Sequence, residues 1–275
     1  MISRNLSHRI MTGLPLAAAA CWYIFGANEM VFSAITVVIG VIAYYEFGHS
    51  LHIKKIPVHY SILYLSQCLV FMALWFLIRG DSKVGLGLLG ITPVLMLTGF
   101  LSPAGREQKA FLWYLFPVFW IMGPLALLYL LRFKLVSSQG SQLIFFIILV
   151  AAFNDIFAYF GGKKFGRRPL AKVISPNKTI EGSLFGIAGG LIAGLSMSTI
   201  WLNNLLPVWK AVPIIIILVI SSQIGDLIES RFKRFCGVKD SSNLIPGHGG
   251  LLDRIDAYLL ALPTFIGLLY IFGII

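Results

Sequence analysis

The apolar run at residues 207–228 reads PVWKAVPIIIILVISSQIGDLI, and its length and composition decide the fold of this chain. A helix needs roughly 20 apolar residues to cross a hydrocarbon core about 30 Å thick, and this run meets that requirement. Comparable apolar runs, bounded by charged or turn residues, lie at 10–26, 30–48, 58–78, 84–101, 110–131, 141–160, 182–205 and 251–274. The sequence therefore predicts an all-α polytopic integral membrane protein with about nine transmembrane helices.

The composition of the whole chain excludes an ordinary soluble domain. Of its 275 residues, 58% are hydrophobic and 12% are charged, whereas a globular domain has roughly 25% charged residues. The three cysteines, Cys21, Cys68 and Cys236, are too few and too scattered for a disulfide framework or a thiolate zinc site. We interpret them as packing residues.

The distribution of positive charge predicts the orientation of the chain in the membrane. Of the 22 Lys and Arg residues, 17 fall in loops on the side of the N-terminus and 5 on the opposite side. Because cytoplasmic loops carry the excess of Lys and Arg, we expect a cytoplasmic N-terminus and, with nine spans, an external C-terminus. Eleven of these cations lie in two cytoplasmic loops, 161–181 and 229–254. These loops are candidates for binding an anionic ligand, although contact with anionic lipid headgroups explains the charge equally well.

Carboxylates within or at the ends of the predicted spans are the most informative polar residues: Asp155, Asp226, Glu229, Asp253 and Asp256. Asp226 precedes Glu229 by three positions and Ser230 by four, so these side chains share one face of a helix. Asp253 and Asp256 repeat the three-residue spacing at the start of the last span. Paired carboxylates without a companion His or Cys suit a hard cation such as magnesium. The alternative is that the carboxylates form ion pairs with neighbouring cations, Arg231, Lys233, Arg234 or Arg254.

The loop before the last span, residues 239–250, reads KDSSNLIPGHGG. Its glycines expose backbone N–H groups and a helix N-terminus follows, so the loop predicts a site for a phosphate anion. His248 could donate a hydrogen bond to a phosphate, protonate a leaving group or bond structurally, and the sequence leaves its role open. Neither basic loop carries the G-x-x-x-x-G-K-[ST] pattern, which excludes a P-loop enzyme.

The other basic loop ends in SPNKTIEG, residues 175–182. Ser175 and Pro176 predict a turn, which would place Lys178 and Thr179 beside the first turn of the seventh span. An ordinary helix start with a basic flank explains the same pattern. Within that span, glycines at spacings typical of close helix packing predict a small-residue face, Gly182, Gly186, Gly189, Gly190 and Gly194.

Residues 230–256, SRFKRFCGVKDSSNLIPGHGGLLDRID, resemble the full signature of the phosphatidate cytidylyltransferases, also called CDP-diacylglycerol synthases. No position of the signature departs from the family pattern. Two further segments, NDIFAY at 154–159 and SPNKTIEG at 175–182, are similar to the same family, so the resemblance covers residues 150–275. The first half of the chain shows only general hydropathy and, in an apolar span, Glu46.

The resemblance implies transfer of a cytidylyl group from CTP to phosphatidic acid, which yields CDP-diacylglycerol and pyrophosphate. We divide the chain into N-terminal helices in residues 1–140, about five spans by length, and a catalytic membrane region in residues 141–275 that contains both basic loops. The resemblance implies that magnesium is required and that Asp226 and Asp253 are its principal ligands. Asp256 and Asp155 are implied as accessory ligands, and the presence of a second cation stays open. The other implied catalytic residues are Lys233, Arg234, Lys239, Asp240, His248 and Arg254. The implied substrate-binding residues are Lys178, Thr179, Ser230, Gly249 and Gly250.

Three other functions remain compatible with the sequence. A CTP-dependent polyprenol kinase would leave CDP rather than pyrophosphate, and a cytidylyltransferase for an ether-linked lipid would use a different acceptor. A cation transporter needs carboxylates near the bilayer midplane, whereas the carboxylates here cluster at one face beside a polar loop. We expect CTP, phosphatidic acid and membrane lipids as partners, expect no nucleic acid, and leave a homodimer open. The expected location is the bacterial cytoplasmic membrane, with the active site facing the cytoplasm.

Overall fold

The structure, a computed structural model of the chain, describes residues 13, 15–56, 59–78, 81–101, 110–136, 138–245 and 249–275. His248 therefore lies outside the described residues. The α-helices, in chain order, are α1 Glu29–Ile53, α2 Tyr60–Ile78, α3 Ser82–Leu101, α4 Ala110–Pro117, α5 Gly123–Leu130, α6 Gly140–Phe165, α7 Ile180–Trp201, α8 Val208–Cys236 and α9 Leu252–Ile271. Short π-helical segments occur at Trp22–Gly26, Val118–Met122 and Leu131–Leu135.

The predicted all-α membrane fold is confirmed. Within the described part of the chain, six helical stretches are long and apolar enough to cross a membrane, Glu29–Ile53, Leu115–Leu135, Gly140–Phe165, Ile180–Trp201, Val208–Cys236 and Leu252–Ile271. Shorter apolar helical stretches overlap the remaining predicted spans, at Pro15–Gly26, Tyr64–Phe76 and Lys83–Val94. The count of nine spans and the cytoplasmic N-terminus stay predictions.

Helices α6 and α7 pack closely because α7 presents glycines to α6. A Cβ atom at Gly189 would lie 2.8 Å from the carbonyl oxygen of Phe153, and one at Gly182 would lie 2.8 Å from that of Ala158. No larger residue fits at such separations unless the helices move apart. The predicted role of these glycines in helix packing is confirmed.

A two-stranded antiparallel sheet between α6 and α7 was not predicted from the sequence. It consists of β1 (Pro169–Ala171) and β2 (Ser175–Thr179), joined by a turn at residues 172–174. The prediction of a turn at Ser175-Pro176 is therefore wrong, because both residues belong to β2. Proline is tolerated there because both strands of a two-stranded sheet are edge strands, where a missing N–H need not break the ladder.

The start of α7 is fixed by side-chain caps. Thr179 is the N-cap residue, and its hydroxyl oxygen accepts a hydrogen bond of 3.1 Å from the backbone N–H of Gly182. The Glu181 carboxylate accepts hydrogen bonds from the backbone N–H groups of Arg167 and Arg168, at 3.0 and 3.2 Å. These contacts tie the entrance of the β-hairpin to the first turn of α7, and they confirm that Thr179 lies beside that turn.

The described residues form two compact units, each with a buried apolar core. The first unit contains the described parts of Met1–Ala20, Ala27–Ala126 and Phe235–Arg254. Its core includes Phe32, Ala43, Tyr44, Phe47 and Leu51. The second unit contains Cys21–Gly26, Leu127–Arg234 and Ile255–Ile275. Its core includes Leu143, Phe146, Ile215, Phe265 and Leu269.

The three cysteines are free, as expected for a chain without a disulfide framework. Cys236 is buried, whereas Cys21 and Cys68 are exposed. The predicted packing role is thus confirmed for Cys236 and is wrong for the other two, which lie on the outer surface of apolar helical segments.

Candidate functional site

A cavity of about 540 Å³ in the second unit is lined by four of the predicted site residues, Asp155, Lys178, Thr179 and Asp226. Its volume falls in the range typical of small-molecule sites, roughly 300 to 1,000 Å³. The β-hairpin and helices α6, α7 and α8 all contribute to its lining, which includes Asp155, Lys163, Asn177, Lys178, Thr179, Ser183, Gln223 and Asp226.

An ion pair between Lys178 and Asp226 is the central polar contact of this cavity. The Lys178 ammonium, from the end of β2, contacts Oδ2 of Asp226 on α8. The side chains are 34% and 28% exposed, so both remain accessible to a ligand in the cavity. Oδ1 of Asp226 accepts a hydrogen bond of 3.2 Å from the Ser230 hydroxyl, which confirms that these two side chains share a helix face.

A second carboxylate, that of Asp256 on α9, lies close to this ion pair. Asp256 is 9% exposed and interacts electrostatically with Asp226, Lys233 and Lys178. Helices α8 and α9 approach closely there, because a Cβ atom at Gly225 would lie 2.9 Å from the carbonyl oxygen of Asp256. Asp226 and Asp256 thus belong to the same polar region of the second unit, and their part in metal binding stays a prediction.

Glu229 and Lys233 form a separate buried pair on α8. The Lys233 ammonium lies 3.2 Å from the Glu229 carboxylate, and the two side chains are 10% and 1% exposed. The alternative interpretation, in which the carboxylates pair with neighbouring cations, is therefore confirmed for Glu229. The adjacent Arg234 side chain is exposed.

A hydrogen-bonded network links three helices beside the cavity and was missed by the sequence analysis. Gln223 Nε2 on α8 donates to Asn154 Oδ1 on α6 at 2.7 Å, and the Ser183 hydroxyl on α7 donates to Gln223 Oε1. Asn154 Nδ2 in turn donates to Asp155 Oδ1 at 2.9 Å. One signal could have identified Gln223, since it precedes Asp226 by three residues and so shares its helix face.

In the first unit, the Asp253 carboxylate caps the loop that precedes α9. Its Oδ2 atom accepts hydrogen bonds from the backbone N–H groups of Ser241 (2.9 Å) and Gly250 (2.8 Å), and from the Ser241 hydroxyl (3.0 Å). Gly249 has a positive φ of 81°, a conformation that favours glycine. Exposed side chains of the same segment include Lys239, Asp240 and Arg254.

The backbone N–H groups of Gly249 and Gly250, which the sequence analysis expected to be exposed, are both hydrogen-bonded within the protein. The Gly249 N–H donates to the carbonyl oxygen of Ile245 at 3.1 Å, and the Gly250 N–H donates to Asp253. Both donors are used inside the protein because the loop folds back on itself and onto α9. Substrate binding by Gly249 and Gly250 stays a prediction.

The donor chemistry of the second unit fits magnesium. In the described ranges, no group of three or more His, Cys, Asp and Glu side chains is placed to hold a metal ion. Asp226 and Asp256, with the Ser230 hydroxyl, offer oxygen ligands alone, and magnesium in proteins is usually held by one or two carboxylates together with substrate phosphates. The larger ligand set with Asp155 and Asp253 stays a prediction.

Comparison with known proteins identifies the family to which this chain belongs. The model of the cytidylyltransferase family matches residues 7–272, nearly the whole chain. The chain belongs to the cytidylyltransferase family. A protein named phosphatidate cytidylyltransferase from Bacillus subtilis (strain 168) is 31% identical over 282 residues, which cover 98% of this chain and 99% of the relative.

Two further relatives with the same name show higher identity over a shorter alignment. The Staphylococcus saprophyticus protein is 45% identical over 126 residues, 46% of this chain and 48% of its own length. The Staphylococcus haemolyticus protein is 44% identical over 131 residues, 48% of this chain and 50% of its own length. The cavity with Lys178 and Asp226 is thus the candidate active site of a cytidylyltransferase-family chain.

Proposed function

We propose that this chain transfers a cytidylyl group from CTP to phosphatidic acid and releases CDP-diacylglycerol and pyrophosphate. The observation that carries the proposal is the accessible Lys178–Asp226 pair beside Asp256, at a cavity in a chain of the cytidylyltransferase family. Relatives of this chain are named phosphatidate cytidylyltransferase, which indicates phosphatidic acid as the acceptor lipid.

The chemistry needs no protein nucleophile. A phosphate oxygen of the lipid attacks the α-phosphorus of CTP, a new P–O bond forms, and the bond to the pyrophosphate oxygen breaks in line. Catalysis is then mostly positioning and neutralisation of charge on the phosphates. The Lys178 ammonium balances the charge of a phosphate in the cavity, and the Asn154–Gln223–Ser183 network holds the cavity wall in place.

Magnesium is the metal that these residues would hold. Asp226 and Asp256 are the ligands that we propose from the second unit, and Asp155 and Asp253 are added on the family resemblance. A bound magnesium ion neutralises phosphate charge and orients the triphosphate. Because Lys178 contacts the same carboxylate, a phosphate in the cavity would be the alternative partner of the Lys178 ammonium and would leave Asp226 available as a ligand.

Product analysis with two labels on CTP tests the proposed reaction. Purified protein with phosphatidic acid and magnesium should move the α-phosphorus label into the lipid and the γ-phosphorus label into pyrophosphate. In a parallel reaction with a polyprenol as the acceptor, a polyprenol kinase would instead move the γ-label to the polyprenol hydroxyl and leave CDP, and a transporter would leave both labels in CTP. Phosphatidic acid and an ether-linked acceptor, compared side by side, separate the two cytidylyltransferase hypotheses.

We also propose nine transmembrane spans, with the N-terminus and the active site on the cytoplasmic side. This proposal is supported by the bias of Lys and Arg to one set of loops and by the shorter apolar helices within the predicted spans. CTP is cytosolic and the lipid phosphate lies at headgroup depth, so a cytoplasmic site gives access to both substrates. The relatives are bacterial, which favours the bacterial cytoplasmic membrane, and a homodimer stays a prediction.

Cysteine labelling tests this topology. Val173, 90% exposed in the β-hairpin turn, and Trp209, 68% exposed at the start of α8, are suitable positions. In a variant whose native cysteines are replaced by serine, Val173→Cys should react only with reagents that reach the cytoplasm, because its loop carries six cations. Trp209→Cys should react from outside. Reaction of Val173→Cys from the outside alone would reverse the orientation.

A further inference from the structure

Glu46 is a buried acidic residue in the apolar helix α1 that the proposed reaction does not use. The side chain is 1% exposed, and both of its oxygens are fully engaged. Oε1 accepts hydrogen bonds from the Ser242 hydroxyl at 2.6 Å and the Leu251 N–H at 2.9 Å. Oε2 accepts from the Ser241 hydroxyl at 2.9 Å and the Leu252 N–H at 2.7 Å. Burial of a carboxylate is very unfavourable without such partners.

The four donors lie at the two ends of a single loop. Ser241 and Ser242 stand at its start, and Leu251 and Leu252 stand where α9 begins. The N–H groups of a first helical turn have no partner within their own helix, so an acceptor from elsewhere must satisfy them. One side chain of α1 therefore holds together both ends of the loop and the N-terminus of α9.

The contacts of Glu46 continue directly to Asp253. The Ser241 hydroxyl lies 2.9 Å from Glu46 Oε2 and 3.0 Å from Asp253 Oδ2. A hydroxyl group has one proton, so its orientation depends on both carboxylates. The approach is close, because a Cβ atom at Gly250 would lie 2.7 Å from Glu46 Oε2. A shift of Glu46 must therefore disturb the hydrogen bonds from Ser241 and Gly250 that orient Asp253.

We propose that Glu46 is a positioning residue that fixes the two described ends of the loop, at Ser241-Ser242 and at Leu251-Leu252, and the orientation of the Asp253 carboxylate. Its function as a positioning residue rests on the proposed cytidylyl transfer. An apolar residue would suit the packing of α1 at much lower desolvation cost, so an ionisable group buried in this apolar helix indicates a function. All four donors belong to the segment that carries the family signature.

Glu46→Gln tests the proposal because it keeps the size of the side chain. The new amide group faces one hydroxyl, which can rotate to accept a hydrogen bond, and one backbone N–H, which cannot. Hydrogen exchange of the amides at 249–253 should accelerate by about tenfold or more, while the β-hairpin at 169–179 exchanges as before. Turnover by folded protein should fall about 10- to 100-fold, since small misplacements of reacting groups have effects of that size.

The matched control is Glu29→Gln, which removes a carboxylate from the first turn of the same helix. It should leave both the exchange at 249–253 and the turnover at wild-type levels. Glu46→Asp keeps the charge and both acceptor oxygens, so it should recover part of the activity. Ser242→Ala removes one hydrogen-bond donor to Glu46 without a change of charge. It should accelerate exchange and lower turnover less than Glu46→Gln does.

The outcomes separate a positioning residue from a merely stabilising one. A stabilising residue would lower the melting temperature and the yield and leave the turnover of the folded fraction unchanged, which overturns the proposal. Unchanged exchange at 249–253 in Glu46→Gln also overturns it. If the wild-type protein shows no cytidylyl transfer, the proposed function is refuted. The exchange measurement needs no substrate, so it still tests the contacts of Glu46 with the loop in that case.

Discussion

Asp226→Asn is expected to lower cytidylyl transfer by at least about a thousandfold, which corresponds to roughly 4 kcal/mol of transition-state stabilisation. The amide keeps the shape of the side chain and can still accept the Ser230 hydrogen bond. It loses the negative charge that pairs with Lys178 and that a divalent cation requires. The loss should be in turnover of folded protein, because the side chain is 28% exposed and asparagine is nearly the same size as aspartate.

The control for this variant is Asp81→Asn, which neutralises a carboxylate that caps the start of α3. Asp81 Oδ1 accepts a hydrogen bond of 3.3 Å from the Val84 N–H, and asparagine caps helices equally well. Activity and melting temperature should both be unchanged in the control. Turnover is measured across a range of magnesium concentrations. Near-normal turnover of Asp226→Asn at low magnesium would refute the metal assignment.

Lys178→Gln is expected to lower turnover by roughly thirty-fold to a thousand-fold, the equivalent of 2 to 4 kcal/mol in the transition state. The Lys178 ammonium lines the cavity and pairs with Asp226, and it stands at the end of β2 just before α7. Its loss removes one charge-assisted hydrogen bond to a phosphate and leaves Asp226 without its cation.

Lys172→Gln is the matched control, because Lys172 is exposed in the turn of the same hairpin and changes the charge of the same loop. If both variants keep wild-type kinetics, Lys178 only adds to the positive charge that sets the orientation of the chain in the membrane. Separate measurement of the apparent affinities for CTP and phosphatidic acid identifies the substrate that Lys178 contacts. An increase in the KM of one substrate alone assigns the contact to that substrate.

The sequence predicted the contacts that depend on near neighbours along a helix. The spacing of Asp226 and Ser230 placed both on one face of α8, and their side chains are hydrogen-bonded. The glycine spacing of α7 predicted a packing face, and Gly189 contacts α6 closely. The β-hairpin was not predicted because a Ser-Pro pair is compatible with a turn and with an edge strand alike, and strands of three and five residues are too short to show a clear alternation.

The sequence by itself determined the membrane class and the helical segments of this protein. In lipid, every backbone polar group must bond within its own segment, so apolar runs of about 20 residues specify helices without reference to the rest of the chain. Only the tertiary structure decided which polar groups from distant parts of the chain meet. Glu46 contacts Ser241 across 195 positions, Gln223 contacts Asn154 across 69, and Lys178 contacts Asp226 across 48. Helical periodicity specifies neighbours three and four residues apart, whereas these contacts depend on how helices from distant parts of the chain pack together.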